Sequence, residues 1–285
     1  MANAGNDWID RAQQVSRLVN HTGCVKIITP VESFQMRIQK YLSQHSVHSR
    51  RQIEQMIIEN RILINGKIAE IGQKVTIGDK ITYDQNKHTV VRMKDQDDQV
   101  LIMNKPLGII CTRRDPENRR NVFDFLPSND ETKWIAVGRL DINTSGLILF
   151  TSNGDLANQL MHPRHGLVRT YHVRVFGQPT EQDMQRLLSG IHIDGKRQRF
   201  LSCQLLNQKS HQANSQNQWY EISVGTGQYR LVRRMWQACD CRVSRLVRVS
   251  YGPIMLPRSL KEGQVSILNG EALQRLKQAI HDPDR

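Results

Sequence analysis

Gly138-Arg139-Leu140-Asp141-Ile142-Asn143-Thr144-Ser145-Gly146, running into the apolar Leu147 to Phe150, decides how the rest of the chain is read. The apolar Ile135 to Val137 stand just before it, so a turn-rich segment carrying one carboxylate falls between two runs that read as buried strands. Loops held by rigid strands are where chemistry is usually mounted. Taken alone, Asp141 also reads as the opener of an Asx turn, a backbone role that Asp fills readily before Asn and Gly.

Composition asks for a polyanionic partner. The 285 residues carry 40 Lys and Arg against 27 Asp and Glu, a formal charge of +13. Phosphate backbone is the matching counter-surface, and its binding weakens with salt. A basic face that is merely solvated is the other reading of the same balance. The length suits two domains with a real core. No apolar run approaches the roughly 20 residues of a membrane span and no secretory segment opens the chain, so a cytoplasmic protein without a membrane partner is expected, and a monomer. The five cysteines, Cys24, Cys111, Cys203, Cys239 and Cys241, form an odd set without a CxxC pair. Reduced thiols are expected, and Cys239-Asp240-Cys241 offers too few ligands for a structural zinc. No metal site is expected.

Residues 1–33 lead with small and polar side chains and lack a sustained period, so they read as an extension, with Met36 as an alternative start. From residue 34 to 83 the pattern is that of a small domain. Ile38, Tyr41 and Leu42 recur at helical spacing, and Ser49 is placed to cap a second helix with Ile53, Met56 and Ile57 on its core face. Ile62 to Ile64 read as a strand entering the turn Asn65-Gly66, and Val75 to Ile81 as a strand pair bent at Gly78-Asp79. The polar residues 84–98 read as a linker, residues 99–270 as the larger domain, and 271–285 as a tail. Within the larger domain Val100 to Met103 and the alternating Val168 to Phe176 predict strands, while Thr180 caps a helix ending at Gly190. Strands outnumber helices without regular alternation, which makes the class α+β.

The run from Gly138 through Leu160 resembles the active-site motif of pseudouridine synthases, in the group that modifies ribosomal RNA. Four further segments match the same family in order: Asn104-Lys105-Pro106 with Gly108, Arg169-Thr170-Tyr171, Gly227 to Met235, and Ser244 to Gly252. The resemblance implies the pseudouridine synthase fold, a large mixed and mainly antiparallel sheet with flanking helices. It implies Asp141 as nucleophile, Tyr171 against the target base, Arg233 paired with Asp141, Leu246 beside the uracil and Arg139 as the wedge that replaces the flipped base. Lys105, Arg230 and Arg234 are implied RNA contacts. Taken alone, Tyr171 on an alternating strand is ordinary core, and Arg230, Arg233 and Arg234 are the wet face of a helix.

The helix, helix, hairpin order of residues 34–83 resembles the S4-like RNA-binding module of ribosomal small-subunit protein four. Arg37, Ser49, Arg50, Arg51 and Lys67 are its implied RNA contacts. Free N–H groups at a helix N-terminus, with Arg50 and Arg51 beside them, suit phosphate. Gly227-Gln228 departs from the family pattern, in which a basic residue is common at the place of Gln228; one phosphate contact is then either lost or supplied by Lys209 or Arg230.

Residue chemistry agrees with that expectation. Moving a uracil from an N–C to a C–C link to its sugar changes neither composition nor oxidation level, so no cofactor is expected, and no Walker or dinucleotide-binding fingerprint occurs. A carboxylate serves by attacking C1′, attacking C6 or removing the 2′ proton. It must stay ionised away from water, which a close guanidinium favours. The target leaves the base stack at a cost of a few kcal/mol, offset by an inserted side chain and an aromatic platform. Ribosomal RNA is the expected partner, with large-subunit (23S) RNA favoured, small-subunit RNA or another large-subunit position next, and a non-catalytic assembly factor as the rival of different class.

Overall fold

The computed structural model describes residues 34–281, leaving out 47, 92–97, 114, 128–131 and 207–216. The chain divides into two compact units between residues 96 and 97.

The first unit holds β1 (Gln35–Arg37), α1 (Ile38–His45), α2 (Arg50–Ile58), β2 (Ile62–Ile64), β3 (Lys67–Ile68), β4 (Lys74–Thr76), β5 (Lys80–Tyr83) and β6 (Asn86–Thr89). Its core is built by the apolar faces anticipated from periodicity, Ile38, Tyr41 and Leu42 of α1 against Ile53, Met56 and Ile57 of α2. Ser49 closes a reciprocal capping box: its hydroxyl accepts the Gln52 N–H while the Gln52 side chain accepts the Ser49 N–H at 2.8 Å. The β2–β3 hairpin turns at Asn65 and Gly66, both at positive φ, as a two-residue turn between twisted strands requires. Asn60 takes a left-handed backbone. Ser46 does not; it is extended and its hydroxyl donates to the Leu42 carbonyl at 2.8 Å.

Two expectations fail here. Val75 to Ile81 is not a hairpin: β4 pairs with β1, whereas β5 lies between β2 and β6. Pairing of β4 with a strand some forty residues earlier leaves no local signal. The supposed linker also begins too early, because β6 completes the sheet and Val90 is fully buried. Polar edge strands need only one apolar face, so composition disguised it.

The second unit is organised by β7 (Val100–Lys105), β8 (Ile135–Val137), β9 (Ser145–Thr151), α3 (Gly154–Met161), β10 (Arg169–Phe176), α4 (Glu181–Ser189), β11 (Ile191–Ile193), β12 (Lys196–Gln198), β13 (Ser202–Leu205), β14 (Asn217–Val224), α5 (Leu231–Gln237), β15 (Arg242–Tyr251), β16 (Ile254–Met255), β17 (Val265–Leu268) and α6 (Gly270–His281). Nine strands form one sheet, ordered β13-β14-β10-β15-β9-β7-β17 with β16 on β15 and β8 on β9. All its pairs are antiparallel except β15 with β9, so the mixed, mainly antiparallel sheet is as expected.

Val100 to Met103 of β7 and Leu147 to Phe150 of β9 are unbroken apolar runs because both their faces are covered. Leu101, Met103, Ile148 and Phe150 join α4 and α5 in one core, through Leu187, Leu231, Met235 and Trp236. Val100, Ile102, Leu147 and Leu149 join α3 and α6 in the other, through Leu156, Leu160, Leu276 and Ile280. The last two correct the C-terminal tail: residues 270–281 are a helix of the domain, and Lys277 bonds Asp98 at 2.6 Å. Among the described residues no helix is long and apolar enough to cross a membrane.

Ser49→Ala removes one half of the capping box and is expected to cost the first unit about 1 kcal/mol. Chemical denaturation of the full chain, followed by a probe in that unit, measures it.

Candidate active site

Asp141 sits on the loop joining β8 to β9, half-buried. Backbone bonds fasten this loop on both sides: Thr144 N–H to the Asp141 carbonyl at 3.0 Å, and Gly108 N–H to the Ile142 carbonyl at 2.9 Å. Among the described residues the Asp141 carboxylate has no side-chain hydrogen bond or salt bridge. The carboxylate is thus held by its backbone while its oxygens stay uncommitted.

The floor beneath the loop follows from strand register. Lys105 of β7 is opposite Gly146 of β9, Gly146 is opposite Arg248 of β15, and Arg248 is opposite Tyr171 of β10. Gly146 is required there: at φ +101°, an added Cβ would stand 2.3 Å from the Arg248 carbonyl oxygen. Tyr171 and Leu246 both belong to the α4/α5 core and share a face of the sheet with Val173. Tyr171 is 9% exposed.

Lys105 corrects an expectation. It is fully buried, and its ammonium donates to the carbonyls of Thr144 and Pro106, each at 2.8 Å. It cannot reach phosphate; it grips the loop that carries Asp141. Burial depresses its pKa, while the carboxylates of Asp141 and Glu262, and Cys111 when ionised, oppose that shift. Sequence reasoning missed Arg248 as well, which is 2% exposed, donates Nε–H to the Leu147 carbonyl at 2.7 Å and leaves Nη2 without a partner. Arg169 is its companion. The two guanidiniums flank the Tyr251 ring at 4.9 and 5.1 Å, and Arg169 donates to the carbonyls of Leu167 and Gly225. Arginines inside strand patterns were the available signal, since a charge there is buried with partners or faces solvent.

Arg233 on α5 also differs from expectation. Its guanidinium donates to the Asn143 carbonyl at 2.7 Å and the Val243 carbonyl at 2.9 Å, forming no direct salt bridge with Asp141. Burial lowers its pKa and Arg230 adds to the effect, with the Asp141 charge acting in the opposite sense. The two charges therefore interact through space across the Asn143 backbone. Arg139 is exposed at the outer part of the loop, and the Leu140 N–H points to the Cys111 sulfur at 3.4 Å. Burial pushes the Cys111 thiol up, so it is neutral at ordinary pH.

The remaining candidates separate. Arg230 is exposed at a left-handed N-cap of α5. Arg234 is already ion-paired with Asp194. Gln228 is exposed ahead of α5, and Lys209 lies outside the described residues. In the first unit Arg37, Arg50, Arg51 and Lys67 are exposed, whereas the Ser49 hydroxyl is occupied as a cap.

The family profile described as RNA pseudouridylate synthase matches residues 99–238, and the S4 domain profile matches residues 36–81. Ribosomal large subunit pseudouridine synthase B of Buchnera aphidicola is 42% identical over 245 residues, covering 86% of this chain and 97% of that protein. The chain belongs to the RNA pseudouridylate synthases. The synthase B of Escherichia coli O6:H1 is 41% identical, over 87% of this chain and 84% of its own. A solved pseudouridylate synthase shares the fold at TM-score 0.57 with 24% identity, covering 85% of this chain and 99% of the other. This synthase is thus an isomerase, and the S4 domain is its first unit.

Lys105→Met is expected to lower turnover while leaving the salt dependence of RNA binding unchanged, because the ammonium holds backbone and not phosphate. A reduced slope of log affinity against log salt would instead put Lys105 on the RNA.

Proposed function

We propose that this synthase converts one uridine of large-subunit (23S) ribosomal RNA to pseudouridine, with Asp141 as the nucleophile. The observation that carries this reading is a carboxylate with uncommitted oxygens, on a loop clamped from below by the Lys105 ammonium and from the side by the Arg233 guanidinium. The ribosomal substrate is supported by the relatives, whose names place their action on the large ribosomal subunit.

In the reaction the N1–C1′ bond breaks and a C5–C1′ bond forms; N1 gains a proton and C5 releases one. Asp141 acts at the sugar–base junction, splitting one difficult step into two. The target uridine leaves the stack, and the exposed Arg139 occupies the vacated space. Tyr171 supports the detached uracil as it turns to present C5, with Leu246 packing beside it. Lys105 and Arg233 hold the loop through its Thr144 and Asn143 carbonyls, so the carboxylate keeps its place while the base moves. Arg37, Arg50, Arg51 and Lys67 on the S4 domain, with Arg230 on the synthase domain, hold the RNA backbone.

Asp141→Asn is expected to reduce product formation on the order of 10⁴-fold with RNA affinity retained, since Asn preserves shape and lacks the nucleophile. Pseudouridine mapping of ribosomal RNA from cells with wild-type, Asp141→Asn or no protein checks both chemistry and target. A missing modification in small-subunit RNA would overturn the large-subunit assignment, and substantial turnover by the folded variant would remove Asp141 from its role.

Arg233→Lys is expected to keep more activity than Arg233→Ala, because an ammonium can still reach one of the two carbonyls and retain the charge. Single-turnover rates at saturating RNA compare them. Equal rates in both variants and wild type would show that the loop needs no clamp from α5.

A further inference from the structure

Among the described residues the sheet of the synthase domain is covered on both faces at β7 and β9, but on only one face farther along. On β10 the side chains Tyr171, Val173 and Val175 are buried in the α4/α5 core, while His172, Arg174 and Phe176 face the other way, with Arg174 and Phe176 exposed. β14 repeats the pattern, Tyr220, Ile222 and Val224 buried and Trp219 and Glu221 half-exposed.

Register puts an unusual set of side chains together on that open face. Arg174 is directly opposite Trp219 on one side and Arg245 on the other. In the next row Phe176 is opposite Arg242. Like charges directly opposite across a strand pair destabilise it. Arg174 and Arg242 have no salt bridge among the described residues, and Arg245 meets Glu262 only at 3.7 Å with both half-exposed. The acid of the neighbouring row, Glu221, is taken by His172 at 3.0 Å. The face therefore carries unneutralised guanidinium charge next to two partly exposed aromatic rings.

We propose that this face is a second RNA-binding surface, on the side of the sheet opposite Tyr171. A polyanion relieves the repulsion between the facing arginines, and the adjoining Trp219 and Phe176 rings offer stacking area to unpaired bases, a combination suited to RNA with single-stranded segments and not to an acidic peptide. The inference rests on RNA being the substrate. It adds that the RNA extends past the cleft and is held on both faces of the sheet, so a long substrate is bound by interactions that a short hairpin around the target uridine never makes.

The test compares the full-length protein with Arg174→Glu/Arg242→Glu and Arg174→Gln/Arg242→Gln variants on a long ribosomal RNA fragment and on a short hairpin containing the target. On the long fragment the Glu variant is expected to raise KM at least 10-fold, the Gln variant less, with kcat at saturation within twofold of wild type. The slope of log affinity against log salt should fall by about 2 in magnitude, one for each phosphate that is no longer neutralised. On the hairpin neither parameter should move. An unchanged KM and salt slope on the long fragment would overturn the proposal, and so would an equal rise in KM on the hairpin, which would place these arginines in the catalytic cleft. Thermal unfolding of the Gln variant guards against a folding defect, since removing facing like charges should not lower its midpoint. Failure of the RNA reading itself is distinguishable: wild type would then turn over neither RNA.

Discussion

The seam where β9 and β15 run parallel is the contact on which the site depends. Gly146 lets the backbones close to a separation that no side chain tolerates, with a hypothetical Cβ 2.3 Å from the Arg248 carbonyl. That approach does two things. It pulls the end of the Asp141 loop down onto the sheet, and it leaves a gap in the side-chain layer between Lys105 and Arg248, the neighbours of Gly146 on either strand. A larger residue would separate the strands and lift the loop, so the position of a carboxylate five residues away is set by the absence of a side chain.

Electrostatics then explains why the loop stays where the seam puts it. A fully buried ammonium is expensive unless hydrogen-bonded, and Lys105 finds its acceptors in the carbonyls of Thr144 and Pro106. Its desolvation is thereby converted into a restraint on the loop. Arg233 does the same from α5 through the Asn143 carbonyl. Bonding the loop's backbone in place of the carboxylate keeps the positive charge close while leaving the carboxylate oxygens without a bond to the described residues. A direct bidentate pair would hold Asp141 more firmly but would occupy its oxygens.

Much of this was legible from residue order. The Asp141 loop between apolar runs, the alternation of Val168 to Phe176 and the Ser49 cap are local patterns, and local patterns survive without tertiary context. What was not legible depended on distant partners: β4 finding β1, β6 closing a sheet from a polar segment, and α6 burying Leu276 and Ile280 beneath strands far earlier in the chain. At the site, Lys105 was misread for the same reason. A lysine beside a proline at a strand end has the sequence appearance of a surface cation, and only the fold reveals that the chain closes over it. Arg169 and Arg248 were hidden within matched motifs, whose resemblance said where the site lies without saying which cations were inside.

The same alternation that builds the site creates the open face behind it. A strand with one buried face must send every second side chain outward, and β10 uses that geometry for opposite purposes: Tyr171 inward beside the buried cations, Arg174 outward toward solvent. Because the two are separated by the thickness of a single sheet, a change in strand register by one residue would exchange them, burying Arg174 while exposing Tyr171. The bulges in β15, opposite Thr170/Tyr171 and Arg174/Val175, therefore matter on both faces. Each inserts one residue into β15, and between them they fix which arginines of Arg242 to Arg248 are drawn beneath the Asp141 loop and which remain in water. Arg248 is inside and Arg242 and Arg245 are outside, though all three lie on one strand. One strand thus supplies charge to the buried side of the sheet and to its exposed side.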